Sequence, residues 1–306
     1  MFSLAHISDL HLGPLPKAEA WHNYLGKRAI GYLSWTLRRR KIHDPQVIAA
    51  LAEDIAAHSV DHVALTGDLI NIALPAEYRN AAEWLKKFGS ADWVTLVPGN
   101  HDAYVSVGWE KGLGLWAEYM TGEMRMPGVR PSLHNAAIFP FVRHRRNVAL
   151  VGTSTAIPQT MRRAGGSLGA EQLKALAHIL AELRQKGFFR ILLIHHPPLP
   201  GQADDRKALS DSAHLKEVLE AEGVELVLHG HNHTHMRMDF KTKHGPAHVI
   251  GVSSASALAH QRKPPAAWHL YRIRRQDGVW LTETTVRTWN RTLHAFETEA
   301  EFILTN

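Results

Sequence analysis

The chain has 306 residues, 45% hydrophobic and 21% charged, which excludes a disordered polymer and supplies enough apolar surface for a sizeable core. It has no cysteine, so disulfides and thiolate metal sites are excluded. Its net charge of +6 favours anionic partners: phosphate esters, nucleic acid or an anionic lipid surface.

Phe2 to Ser8 is predicted to form a first buried strand, running into Asp9-Leu10-His11. Alternate residues of an extended segment point the same way, so Asp9 and His11 share one side of that strand's end. From Ala20 to His43 there is no acidic residue, while Lys27, Arg28, Arg38, Arg39, Arg40 and Lys41 are basic and Trp21, Tyr24, Tyr32 and Trp35 are interleaved. Ile30, Leu33 and Leu37 fall at helical spacing. This segment suits an amphipathic helix lying on an anionic membrane, or an ordinary surface helix whose aromatics pack onto the sheet; Gly26 and Gly31 weaken either helix.

A helix is predicted from Pro45 to His58, a strand from Asp61 to Thr66 ending in Gly67-Asp68, and a helix from Pro75 to Phe88. The strand Trp93 to Val97 then stops at Pro98-Gly99 and delivers Asn100-His101-Asp102. Ala103 to Arg130, rich in Gly, Trp and Met, reads as an irregular insertion that could wall a site. A strand from Asn147 to Val151, a helix from Ala170 to Lys186 and a strand from Arg190 to Ile194 lead to His195-His196-Pro197-Pro198. A helix from His214 to Glu222 and a strand from Val224 to Leu228 lead to His229-Gly230-His231-Asn232-His233. Beyond this, Met236 to Phe240, His248 to Val252, Trp268 to Ile273 and Val279 to Val286 alternate like strands, with Gln276-Asp277-Gly278 as a hairpin turn. No repeat or long linker interrupts the chain, which is read as a single domain over 1–306.

Five strands thus end in polar motifs, and helices separate most of them, as in a layered α/β fold. Their ends can converge, bringing together three aspartates, one asparagine and several of the 22 histidines. With cysteine absent, His, Asp and Asn are the ligands left for a metal, a set that accepts zinc, manganese or iron. The physical reading is a pair of divalent ions: two cations about 3.5–4 Å apart need a bridging carboxylate and mixed nitrogen and oxygen donors, and they lower the pKa of bound water to about 7. No Gly-x-Ser-x-Gly elbow or P-loop competes with it.

In this order, the blocks Asp9-x-His11, Gly67-Asp68, Gly99-Asn100-His101-Asp102, His195-x-Pro197 and Gly230-His231-x-His233 resemble the signature of the calcineurin-like metallophosphoesterases, over roughly residues 1–260. The His-His-Pro-Pro block and the short β-rich tail (261–306) look closest to the bacterial class III cyclic-nucleotide and glycerophosphodiester phosphodiesterase branch. The resemblance implies an α/β fold, a four-layer α/β/β/α sandwich. It also implies two divalent metals (Mn, Fe or Zn), with Asp9, His11 and His233 on one, Asn100, His195 and His231 on the other, and Asp68 between them. His195 is preferred over His196 because the family's ligand stands two residues before a proline. By the same resemblance His101 contacts the phosphate and helps to protonate the leaving oxygen, Asp102 orients His101, and a bridging hydroxide attacks phosphorus. His6, His58, His62, His196, His229 and His235 are left with structural duty.

The interval holding residues 20–43 looks longer than in many relatives and is expected to shape substrate access or surface attachment. A small phosphodiester, either a cyclic nucleotide or a glycerophosphodiester, is the first expectation. A lipid-linked pyrophosphate or phosphodiester, reached from the membrane through residues 20–43 as in lipid A precursor hydrolases, is the second. A scaffold that has lost its metals is the reading from another class, and the intact blocks speak against it. A DNA nuclease would suit the charge, but no coiled coil or second nucleic-acid module accompanies it. The N-terminus lacks the regions of a secretory signal, so the expected location is cytoplasmic, with peripheral contact to the inner membrane as the variant. Oligomeric state is left open.

Overall fold

The computed structural model of the protein describes residues 1–17, 21–123, 138–261 and 263–306. In chain order the strands are β1 (Phe2–Ile7), β2 (His62–Leu65), β3 (Val94–Leu96), β4 (Phe141–Arg145), β5 (Val148–Gly152), β6 (Phe189–Leu193), β7 (Leu226–His229), β8 (Met236–Thr242), β9 (Gly245–Gly251), β10 (Ala267–Gln276), β11 (Val279–Asn290) and β12 (Ala295–Thr305). The α-helices are α1 (Lys27–Leu37), α2 (Pro45–Ala57), α3 (Pro75–Phe88), α4 (Gly169–Gln185) and α5 (Ser212–Glu222). Two six-stranded mixed sheets result, in the orders β12-β11-β10-β1-β2-β3 and β4-β5-β6-β7-β9-β8.

The layering follows from residue alternation. In β5, β6 and β7, Leu150, Ile191, Leu193, Leu226 and Leu228 join the core shared with the first sheet. Their neighbours Ala149, Val151, Leu192 and Val227 pack instead with Leu176, Leu180, Leu215 and Leu219 of α4 and α5. Strands buried on both faces read as continuous apolar runs, which is how they appear in the sequence. Val47, Leu51 and Ile55 of α2 and Tyr78, Ala81 and Leu85 of α3 cover the first sheet, completing the four-layer α/β/β/α sandwich. Helix α2 starts as its sequence demands, with the Asp44 side chain accepting from the Gln46 N–H (2.9 Å) and Pro45 in the first turn.

Because β1, β2 and β3 run parallel, as do β5, β6, β7 and β9, the motif-bearing ends gather at one end of each sheet. Backbone hydrogen bonds stitch them together: Asp9 N–H to Gly67 O (2.9 Å), His11 N–H to Asp68 O (2.9 Å) and Gly230 N–H to His195 O (3.1 Å). The last of these ties the ends of β6 and β7.

Two strands escaped the sequence pattern. In β4, Arg143-His144-Arg145 looks like a basic loop, yet Arg143 is buried and its guanidinium donates to the carbonyls of Val94 (2.9 Å), Ala91, Glu118 and Thr121. The acidic run of β12 is that of a charged edge strand, pairing only with β11. Residues 103–123 carry 3-10 turns at Trp109–Lys111 and Leu113–Met120. The rest of the expected insertion, 124–130, lies outside the described residues, as does Ala20. Among the described residues no helix is long and apolar enough to cross a membrane.

Helix α1 corrects one expectation. Its single buried residue is Gly31, where a Cβ would collide with Ile72 and Tyr104, so the glycine is the contact and not a weakness. Leu33 and Leu37 point outward, 58% and 63% exposed, while Ile30, 50% exposed, edges a cavity, and none of the three packs onto the sheet.

His62 of β2 is buried with Nε2 2.7 Å from Thr95 Oγ1. Burial first, and then the Arg145 and Arg143 charges, push its pKa down from 6.5 to about 3. Between those values the unfolded chain binds a proton that the fold refuses, so its stabilising effect is complete above pH 6.5 and is lost as pH falls toward 3. The effect is up to ~1.4 kcal/mol per pH unit. His62→Gln is therefore expected to flatten the loss of stability between pH 6.5 and 5 in urea titrations; parallel pH dependences in the two proteins would refute this.

Candidate metal centre

The seven residues singled out as ligands meet in one place. The side chains of Asp9, His11 and His233 offer donor atoms within 4.8 Å of one another, as do those of Asp9, Asp68 and His195. His11 Nε2 stands 3.3 Å from His233 Nε2 and 3.9 Å from Asp68 Oδ2, and His233 Nε2 is 3.1 Å from Asp9 Oδ1. On the other side, Asn100 Oδ1 lies 3.1 Å from His195 Nε2 and 2.8 Å from His231 Nδ1, while Asp68 Oδ2 is 3.5 Å from His195 Nε2. Asp68 lies between the two groups.

Tautomers decide what this cluster can do. His195 Nδ1–H donates to Thr66 O (2.7 Å), so Nε2 carries a lone pair that faces the carbonyl of Asn100 and the carboxylate of Asp68. His11 Nδ1–H points at Ile70 O (3.3 Å), leaving its Nε2 lone pair toward His233 and Asp68. Burial holds both imidazoles below their ordinary pKa, hence neutral. Two lone pairs therefore converge on the Asn100 carbonyl and the Asp68 carboxyl, and burial, then Asp9 and Asp102, raise Asp68 well above the ordinary carboxylate range. A cation satisfies such a set, and the mixed imidazole, amide and carboxylate donors suit zinc, manganese or iron. His196 is spent differently: Nε2–H donates to Ala164 O (3.0 Å) and Nδ1 accepts from the Thr155 hydroxyl (2.7 Å). Both its ring nitrogens are thus engaged, although one of them also stands within 4.8 Å of donor atoms of His195 and His231.

The backbone pays for this convergence. Asp9, His11, Asp68, His231 and His233 all have positive φ, between 44° and 69°. Non-glycine residues there cost on the order of 1–3 kcal/mol each, a strain that clusters at functional sites. The glycines of the blocks serve a separate need. A Cβ at Gly99 would fall on Asp68, and one at Gly230 on Ser8 and Asp9, so the loops cross at contact distance only without side chains.

Two buried carboxylates hold the central loop. Asp102 accepts from the N–H groups of Asp68 (2.8 Å), Gly99 (2.8 Å), Leu69 (2.9 Å) and Ile70 (3.2 Å). Burial pushes its carboxyl up to about 7 against the pull of those donors. It makes no hydrogen bond to the His101 ring, contrary to the expected orienting contact; its backbone-directed oxygens position Asp68 instead. Glu77 of α3 does the same for Asn71 (2.8 Å), Leu74 (2.9 Å) and Ile72 (3.2 Å), a role the sequence did not signal beyond its place in a helix's first turn.

The His101 imidazole is oriented by the Asn71 carbonyl, which accepts from Nδ1–H, and is covered by Arg39, whose Nη2 is 2.9 Å from Nε2. Burial, and then Arg39, keep His101 well below its ordinary pKa. As it stands, Nε2 is an acceptor, and it can protonate a leaving oxygen only after taking up a proton itself. Arg39 and His43 were not foreseen here, although both close the basic segment. His43 packs on His11, ring centroids 4.5 Å apart, and its Nδ1 meets Ser256 Oγ (2.8 Å).

A family model described as calcineurin-like phosphoesterase matches residues 2–235. A protein described as a probable cyclic nucleotide phosphodiesterase from Synechococcus is 25% identical over 284 residues, covering 92% of this chain and 91% of that one. Among solved structures, a dimetal phosphatase from Danio rerio superposes with a TM-score of 0.63 at 15% identity, over 99% of this chain and 98% of that one. That likeness concerns the fold. A Haemophilus influenzae NAD nucleotidase reaches a TM-score of 0.47 at 12% identity, over 98% of this chain and 49% of that one.

Asp102→Asn sets an N–H donor against N–H donors. It is expected to leave the metal content of reconstituted protein well below that of the unsubstituted chain, by elemental analysis, while circular dichroism still reports a folded chain. Full metal content in the variant would show that this carboxylate does not hold the ligand loops.

Proposed function

We propose, from the premise that this chain belongs to the calcineurin-like phosphoesterase family, that it hydrolyses phosphodiesters of the cyclic-nucleotide or glycerophosphodiester kind. It is a metal-dependent phosphoric ester hydrolase of a family that uses a dinuclear metal site. The observation that carries the finer reading is the convergence of neutral, lone-pair-bearing donors around Asp68, with His101 alongside. The name of the Synechococcus relative supports the diester preference.

Asp9, His11 and His233 would hold one metal, Asn100, His195 and His231 the other, and Asp68 both. When bound, the pair supplies positive charge to offset an anionic phosphate and activates water for attack, with no Ser or Cys nucleophile needed. Asn71 holds the His101 ring through Nδ1, which leaves Nε2, met by Arg39 Nη2, as the nitrogen that would serve an ester oxygen. Asp102 and Glu77 keep the ligand loop from relaxing out of its strained conformation.

A second reading rests on α1. Leu25, Ile30, Leu33 and Leu37 are exposed beside Arg38, Arg40 and Lys41, as expected of a helix that lies in an anionic interface. That reading puts the enzyme at the cytoplasmic face of the inner membrane, acting on a lipid-linked phosphodiester or pyrophosphate.

His101→Ala is expected to lower turnover of bis(p-nitrophenyl) phosphate by about 10²-fold or more while metal content is retained. Equal loss of metal would reduce His101 to a structural role. For the second reading, anionic vesicles are expected to raise activity on an amphiphilic diester, and Leu33→Ser/Leu37→Ser to abolish that stimulation; no stimulation in the unsubstituted protein removes the membrane reading.

A further inference from the structure

A cavity of about 240 Å³ opens directly beside the candidate metal centre, with Asn100 and His101 in its floor. Lys27, Ile30, Gly31 and Ser34 of α1 form one wall with Arg39, and the segment after β5 forms the other with Ile157, Arg162 and Arg163. Four of the lining residues are cations and none is a carboxylate. Among the described residues no carboxylate lies within salt-bridge distance of Lys27, Arg39, Arg162 or Arg163. Lys27 Nζ donates to Tyr104 O (3.0 Å) and sits 4.2 Å over the Tyr104 ring; Arg39 is turned inward onto His101.

This wall carries more charge than a simple diester can use. A phosphodiester bears one negative charge, and metals beside it already offset that charge. The acidic groups nearest Arg39 in electrostatic terms are Asp68, Tyr104, Glu77 and Asp9, and two of these are candidate metal ligands. Glu77 is committed to backbone N–H groups. A guanidinium drawn out of water without its own counter-ion is costly, and an incoming anion removes that cost. The two exposed arginines, Arg162 and Arg163, stand at the outer wall, where a group beyond the scissile phosphate would lie.

We propose that this cavity is a subsite for a second phosphoryl group of the substrate, gripped by Arg39, Lys27, Arg162 and Arg163. The inference rests on the phosphodiesterase reading and narrows it: the preferred substrates are diesters that carry a further phosphate. That phosphate can be the neighbour in a pyrophosphate or a separate phosphomonoester on the same molecule. The basic segment and the loop after β5 thus set specificity, while the metal-binding loops do the chemistry. Ile30, Ile157 and the Tyr104 ring give the same cavity an apolar side for the rest of the substrate.

Two substrate pairs test this on metal-reconstituted protein. Thymidine 5′-(p-nitrophenyl phosphate) is compared with its 3′-phosphorylated form, and adenylyl-adenosine with diadenosine diphosphate. The doubly charged member of at least one pair is expected to have a kcat/KM about tenfold higher or more, the worth of one charge-assisted contact, and the responding pair identifies the spacing. Arg162→Ala/Arg163→Ala and Lys27→Ala are expected to shrink that ratio toward one. A ratio near one in the unsubstituted protein, or a full ratio in both variants, overturns the proposal. If no diester is hydrolysed, the phosphodiesterase reading fails by itself and calorimetry decides the subsite. Thymidine 3′,5′-bisphosphate binding about tenfold tighter than thymidine 5′-monophosphate, in the unsubstituted protein only, sustains it, and equal affinities overturn it.

Discussion

The structure turns on one unfavourable arrangement: buried lone pairs aimed at buried oxygens. His195 directs its N–H to Thr66 and His11 points its own at Ile70, so the opposite nitrogens face the Asp68 carboxyl and, for His195, the Asn100 carbonyl. Burial, with repulsion from Asp9 and Asp102, raises Asp68 well above the carboxylate range. In a buried setting this repulsion is not screened by water, and a multivalent cation is the economical remedy. The rest of the molecule can be understood as the apparatus that keeps these groups together.

That apparatus has three parts. Parallel strands bring the loop origins to one end of each sheet, and apolar alternation in β5, β6 and β7 fixes how the two sheets face each other. Glycines at 99 and 230 remove the Cβ atoms that would keep the loops apart. Asp102 and Glu77 then hold the segment around Asp68 through backbone N–H groups, opposing the strain stored at positive φ. Each buried carboxylate is itself costly, and is tolerated because its oxygens are satisfied by several donors.

Residues 27–43 add a different layer. Gly31 lets α1 lie against Ile72 and Tyr104, which carries Arg39 over His101 and His43 onto His11. The helix therefore contributes to the site from its buried side while leaving an apolar stripe outside. One short segment links the candidate metal centre, the cationic cavity and the outer surface, which explains why its composition is so unlike the strands around it.

Much of this was legible in the sequence. Apolar runs ending in Asp, Asn and His located β1, β2, β3, β6 and β7 and their loops, because buried strands and sharp turns are local properties. The order of the blocks identified the seven candidate ligands and the family. The tertiary structure alone decided what depends on partners distant in the chain. It gave His195 and His196 different partners, Thr66 for the one and Thr155 and Ala164 for the other, and it turned the Asp102 carboxylate toward Asp68 and away from His101. It also recruited Arg39 and His43, buried Arg143 among carbonyls, and faced Leu33 and Leu37 outward. A sequence states which groups a chain can offer; which nitrogen carries the proton, and which face meets water, is set by neighbours that only folding supplies.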